Sequence, residues 1–255
     1  FSGNRGSAMK IIISPAKRMA EDLDFLPPEG LPRFLDQAEE LRDQLAALDL
    51  PALKRLLVCN DQIARLNYSR YAAMDLRERP TPAVLAYQGI QYQYMAPRLF
   101  TREQYRWLQE RLRILSGLYG LLRPFDGVAP YRLEMGARHA PWGPGGLYGL
   151  WGDRLARALA EEGDTVVDLA SKEYSRAVLP HLPEGVRVIS CRFGQWEDGK
   201  LREKGTRCKM ARGEMVRWLA EREAQDPEEL VHFDRLDYRF RPDLSREGEL
   251  VFVCP

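Results

Sequence analysis

Four short apolar runs constrain what this chain can fold into: MKIIIS from Met9 to Ser14, TVVDLAS from Thr165 to Ser171, VRVISCRF from Val186 to Phe193 and ELVFV from Glu249 to Val253. They are largely continuous and rich in β-branched residues, as expected of strands buried on both faces of a sheet covered by helices. The intervals carry helical spacing. From Pro32 to about Leu57 the apolar positions Phe34, Leu35, Ala38, Leu41, Leu45 and Leu48 share one side, until Asp49-Leu50-Pro51 interrupts them. Asn60 to Met74 predicts another amphipathic helix capped by Asn60 or Asp61, and Leu147 to Gly163 predicts one that stops at its glycine. Val84 to Met95, rich in tyrosine and β formers, is expected to be a strand or a site wall with a bend at Gly89. The expected class is α/β in a mixed α+β arrangement: a helical N-terminal block followed, after about residue 84, by alternating strands and helices around a mixed sheet.

At 255 residues, 45% of them hydrophobic, the chain has ample core for one compact domain, expected over 9–255. The preceding FSGNRGSA, residues 1–8, is expected to be a remnant of an expression vector. No apolar run approaches the roughly 20 residues that span a bilayer, so no membrane is expected and a cytoplasmic location is. Cys59, Cys191, Cys208 and Cys254 form no CxxC pair, and His139, His181 and His232 are scattered, which signals neither a disulfide framework nor a metal centre. The net charge is only +1, so any basic surface has to come from segregation of charge.

Ile114 to Gly136, ILSGLYGLLRPFDGVAPYRLEMG, concentrates the residue types that cannot be exchanged freely. Gly117 and Gly120 flank Leu118-Tyr119 and predict a tight turn that either packs into the core or lets backbone N–H groups approach a phosphate. Thr101 to Leu112 predicts a helix immediately before it, with Thr101 as N-cap. Six arginines against two glutamates between Arg98 and Arg123 favour an anion nearby or a solvated basic face.

Charge segregates again near the end. Lys200 to Arg217 holds seven Lys/Arg against two Glu, whereas Trp218 to Leu230 holds one Arg against five acids. Lys209 and Arg212, three apart, share a helical face. Ser14 and Lys17 of SPAK come after the first strand, where open α/β sheets gather ligand-binding groups.

Seven ordered motifs resemble the YaaA family of peroxide-stress proteins: SPAK at Ser14–Lys17, LSGLYGLLRP at Leu115–Pro124, PYRLEMG at Pro130–Gly136, WGD at Trp151–Asp153, LAS followed by EY between Leu169 and Tyr174, KMARG at Lys209–Gly213 and GELVF at Gly248–Phe252. The resemblance implies a single-domain mixed α/β fold, an embedded helix-hairpin-helix element, double-stranded DNA binding, and protection against hydrogen peroxide linked to low free iron. Carried onto these residues, the hairpin is Ser116, Gly117, Tyr119 and Gly120 with Arg123, and the basic cleft draws on Lys17, Arg132, Lys209 and Arg212. Gln88 stands where the family pattern leads one to expect a lysine before the glycine.

Two functions are compatible with these residues. In the first, hairpin N–H groups and arginines hold DNA phosphates without reading bases. In the second, an enzyme acts on a nucleotide-like or other anionic small molecule, with Lys17, Arg132, Glu134, Asp153, Tyr174 and Lys209 as its pocket. Carboxylates repel phosphate, so their presence beside Lys and Arg favours a catalytic pocket unless Glu134 and Asp153 are structural ion-pair partners. Neither a metal ligand set nor a particular cofactor is indicated, and the oligomeric state is left open.

Overall fold

The computed structural model describes residues 8–78, 80–138 and 141–255, so His139 and most of the expected vector remnant lie outside it. Eight strands form one sheet: β1 Met9–Ile13, β2 Leu112–Ser116, β3 Gly120–Leu122, β4 Thr165–Asp168, β5 Arg187–Glu197, β6 Lys200–Arg202, β7 Arg239–Phe240 and β8 Glu249–Cys254. Their order is β7-β8-β5-β4-β1-β2-β3, with β6 paired to the far end of β5. The five inner strands run parallel, and β3, β6 and β7 add antiparallel edges. Each of the four apolar runs supplies one inner strand. Ile11, Ile12, Val166 and Val167 are wholly buried, as parallel strands covered on both faces must be.

The helices relevant to the site are α1 Leu35–Ala46, α2 Leu50–Leu57, α3 Asp61–Ala73, α4 Ile90–Met95, α5 Arg102–Arg111, α6 Gly146–Trp151, α7 Arg154–Glu162, α8 Lys172–Ser175 and α9 Gly205–Glu221. Asp49 caps α2 through the Ala52 N–H, and Asn60 caps α3 through the Ile63 N–H. The helix expected over 147–163 is two helices, because Gly152 takes a left-handed φ of 52° that ends α6 and re-aims the chain into α7.

No helix-hairpin-helix forms at Ser116 to Gly120. The expected first helix is present as α5, closed by a capping box between Thr101 and Gln104. Beyond α5 the chain forms a β-hairpin instead of a second helix. Leu112–Ser116 pairs in parallel with β1, and Gly120–Leu122 returns against it. Ser116, Leu118 and Tyr119 are fully buried, so the turn offers nothing to a phosphate. The two glycines serve the protein's own packing. A Cβ at Gly117 would sit 2.5 Å from the Leu133 carbonyl oxygen, and one at Gly120, whose φ is 73°, would sit 2.9 Å from Trp151 and Leu155. Apolar content overrode the glycine signal: Ile114, Leu115 and Leu122 gain more as core strand than as an exposed helix pair.

Candidate functional site

The chain leaves β1 for β2 on one side of the sheet and leaves β4 for β5 on the other. The adjacent carboxyl ends of β1 and β4 are therefore the switch point, where open α/β sheets leave a crevice. Ser14 comes directly after β1, and Ser171 comes after β4 and a short turn. They meet there: the Ser171 N–H donates to Ser14 Oγ at 2.8 Å, and Ser14 Oγ lies 3.1 Å from Ser171 Oγ. The Ser14 carbonyl accepts from Gln91 Nε2 at 3.1 Å and from the Tyr92 hydroxyl at 2.9 Å, which ties α4 to the same point.

A cavity of about 350 Å³ opens over this junction. Its walls are the loop Ser14–Arg18, the segment Gln88–Tyr92, the segment Tyr131–Glu134, Ser171, Glu173 and Tyr174 around α8, and Lys209 and Arg212 from α9. Lys17, Arg132, Glu134, Tyr174, Lys209 and Arg212, expected from the sequence, thus converge. Among the described residues five cationic side chains face two carboxylates, a surplus of three positive charges.

Within the cavity Glu134 Oε1 lies 2.9 Å from Lys17 Nζ and 4.0 Å from Arg132 Nη2. It is buried without a directed hydrogen bond, so charge alone holds it. The Nε atoms of Arg132 and Arg212 are buried with no hydrogen-bond partner among the described residues. A buried donor left unpaired costs about 1–3 kcal/mol, so two in one charged cavity point to an acceptor supplied from outside.

Glu173 stands at the rim and accepts the Gly136 N–H at 3.1 Å. Desolvation raises its carboxyl above the usual carboxylate range, and the charge of Glu134 adds to this against the Gly136 N–H and Lys17. That places a proton-exchanging group beside fixed cations. The floor is phenolic. Tyr131 shares hydrogen bonds with the Tyr87 hydroxyl at 2.7 Å and with Ser116 Oγ. Burial pushes Tyr131 up to about 12 and Tyr174 well above the ordinary phenol value, so both are neutral donors rather than bases. Asp168, the last residue of β4, does not line the cavity; it accepts from Ser175 Oγ at 2.7 Å, Ala170 N–H at 3.0 Å and Ser190 Oγ at 3.3 Å. Burial raises its carboxyl, and the charge of Arg212 is among the groups that oppose this.

The other expected site residues lie elsewhere. Asp153 begins α7 with its carboxylate half exposed and 3.4 Å from Arg157 Nε. Its neighbour Trp151 is fully buried, donating from Nε1 to the Gly117 carbonyl at 3.0 Å, so WGD braces the hairpin and builds no pocket. Arg123 is tied to the buried Asp126 at 3.1 Å. Ser116, Gly117, Tyr119 and Gly120 belong to the core. Sequence reasoning missed Arg18, Gln91, Tyr92 and Asp168. The place of Asp168 at the end of a parallel strand was the available signal, whereas α4 reaches the cavity through tertiary packing alone. Among the described residues no group of three or more His, Cys, Asp and Glu side chains is arranged to hold a metal ion, and no helix is long and apolar enough to cross a membrane.

Residues 9–244 match the family model described as peroxide stress protein YaaA. A UPF0246 protein of Desulfitobacterium hafniense is 49% identical over 245 residues, covering 96% of this chain and 98% of that protein. A UPF0246 protein of Lachnoclostridium phytofermentans is 48% identical, with 96% of each chain covered, and one of Lactiplantibacillus plantarum is 46% identical, with 96% and 99% covered.

Proposed function

Since the chain belongs to the family of peroxide stress protein YaaA, a role in peroxide stress is the premise, and we propose that it is exerted by an enzyme acting on a nucleotide-like anionic small molecule in the switch-point cavity. The observation that carries this reading is the pair of buried, unpartnered Nε donors of Arg132 and Arg212 in a cavity that also holds Lys17, Lys209, Glu134 and Glu173. The cations hold the anion, and the two guanidinium groups orient its oxygens. Glu173, its carboxyl raised by desolvation, exchanges a proton with the bound molecule. Lower reactive iron is then a downstream result of the cavity's chemistry.

Double-stranded DNA is the second reading, favoured by one observation: Lys204 and Lys209 are exposed on and beside the first turns of α9, with no carboxylate partner among the described residues. Fluorescence anisotropy with a labelled nucleotide and a labelled random duplex separates the two. On the enzyme reading the nucleotide binds, Arg212→Gln abolishes its binding, and duplex DNA competes weakly. Nucleotides that fail to bind, together with a duplex affinity whose salt slope falls by about one unit in Lys209→Ala, would establish the DNA reading instead.

A further inference from the structure

We propose that the ligand of this cavity is bipartite, a nucleoside monophosphate whose phosphate meets the arginines and whose base lies in a second, adjoining cavity. This rests on the anion-binding reading above. The second cavity, of about 600 Å³, shares Arg18, Gln88, Gly89 and Tyr92 with the first, so the two meet along that line. Gly89 forms the saddle. Its backbone is extended, with φ 169°, so space rather than conformation calls for glycine: a Cβ there would already crowd Ala16 Cβ at 3.3 Å, and a larger side chain would close the passage.

The chemistry of the two halves differs. Five cations line the first, a match for a phosphate dianion. In the second no carboxylate is present among the described residues, and Arg98 is already occupied by Asp22 and by the Phe25 ring, 5.0 Å from its guanidinium carbon. Apart from Arg18, which stands on the line shared with the first cavity, what remains is apolar or aromatic, Ala96, Pro97, Leu99 and Tyr87 included, beside the amides of Gln88 and Gln93. Apolar surface for a ring face, with amides that both donate and accept for a ring edge, suits an uncharged planar heterocycle. Leu99 is 71% exposed, an aliphatic side chain that such a ring would cover.

Isothermal titration of the full chain with AMP, ribose 5-phosphate and adenosine tests the proposal. AMP is expected to bind at least about tenfold tighter than ribose 5-phosphate, the order of one base contact. Leu99→Asp should bring AMP down to the affinity of ribose 5-phosphate and leave ribose 5-phosphate unchanged; Leu99 lines the second cavity and not the first, and it is on the surface, so its variant folds with the anion cavity intact. Equal affinities of the native chain for AMP and ribose 5-phosphate, or a Leu99→Asp variant that binds AMP as well as the native chain does, would overturn the bipartite site and leave the anion pocket standing. Failure of all three probes to bind would overturn the anion-pocket reading itself.

Discussion

Arg212 reaches the cavity from α9 with a charge and an unused Nε donor, and Asp168 lies within its field on the protein side. Filling the cavity with a phosphate ester at 100 times its Kd should stabilise the native chain by about 2.7 kcal/mol, read as a rise in Tm. Arg212→Gln should remove that rise with little change in the unliganded Tm. Val58 shows the opposite economy. It closes α2 with a left-handed φ of 47° while 78% exposed, a conformation that suits glycine and strains a β-branched side chain. Val58→Gly should therefore stabilise by about 1 kcal/mol, observable as a higher urea midpoint at unchanged slope. A loss of stability there would mean that the valine makes contacts worth more than its backbone strain.

Among the elements, the crossing of α9 over α4 sets the cavity wall. Gly213 lies on α9 directly against the Gln91 carbonyl and the Met95 N–H, where any Cβ would overlap the backbone of α4. Glycine inside a helix costs about 1 kcal/mol relative to alanine, and the close approach offsets it. Gly213→Ala should destabilise by about 2 kcal/mol or more despite the gain in helix propensity, because α4 must move. Gln91 and Tyr92 hold the Ser14 carbonyl, so the same substitution should weaken anion binding; a thermal melt and a titration on one sample check both. The sequence located α9 as a basic helix but did not signal its contact with α4, since a lone glycine in a helical pattern does not say what approaches it. The β2–β3 hairpin teaches the same point: glycine spacing announced a close approach, and only packing identified the partner as Leu133, Trp151 and Leu155.

For the molecule as a whole, buried titratable groups shape stability against pH. Lys10 on the central strand is brought down to about 8, first by burial and then by Arg113, with Arg111 adding to this and Glu162 and Glu110 opposing. The unfolded chain thus binds more protons between about 8 and 10.5, and stability rises with pH through that window, by about 2 kcal/mol from this half-buried group once solvent screening is allowed for. Lys10→Met should flatten that rise. Tyr131, at about 12, acts with the opposite sign. Its stabilising contribution is complete below the unfolded value of 10.0 and is lost as pH climbs through the folded one. Tyr71, Tyr87, Tyr92 and Tyr174, all raised well above the ordinary value, share that direction. Burial also raises the thiols of Cys191, Cys208 and Cys59 above 9.0, which adds to the alkaline loss, so stability measured by denaturant titration should climb from pH 7 to about 9 and fall steeply beyond; no alkaline fall would contradict the buried phenolic floor.

By itself the sequence determined four of the five inner strands and most of the helices, with the caps at Asn60 and Thr101, because these rest on local patterns of apolar periodicity and cap chemistry that neighbouring residues settle among themselves. It also placed Ser14 and Lys17 at a strand end, and it marked Arg132, Glu134, Tyr174, Lys209 and Arg212. Tertiary structure decided which of these share a site. Strand order brought the ends of β1 and β4 together, the packing of α9 on α4 brought Lys209 and Arg212 over them, and the burial of Ile114 to Leu122 withdrew Ser116, Gly117, Tyr119 and Gly120 from the surface. Proximity across a sheet depends on which strands pair, and that is fixed by the total apolar area the chain can bury rather than by any one segment.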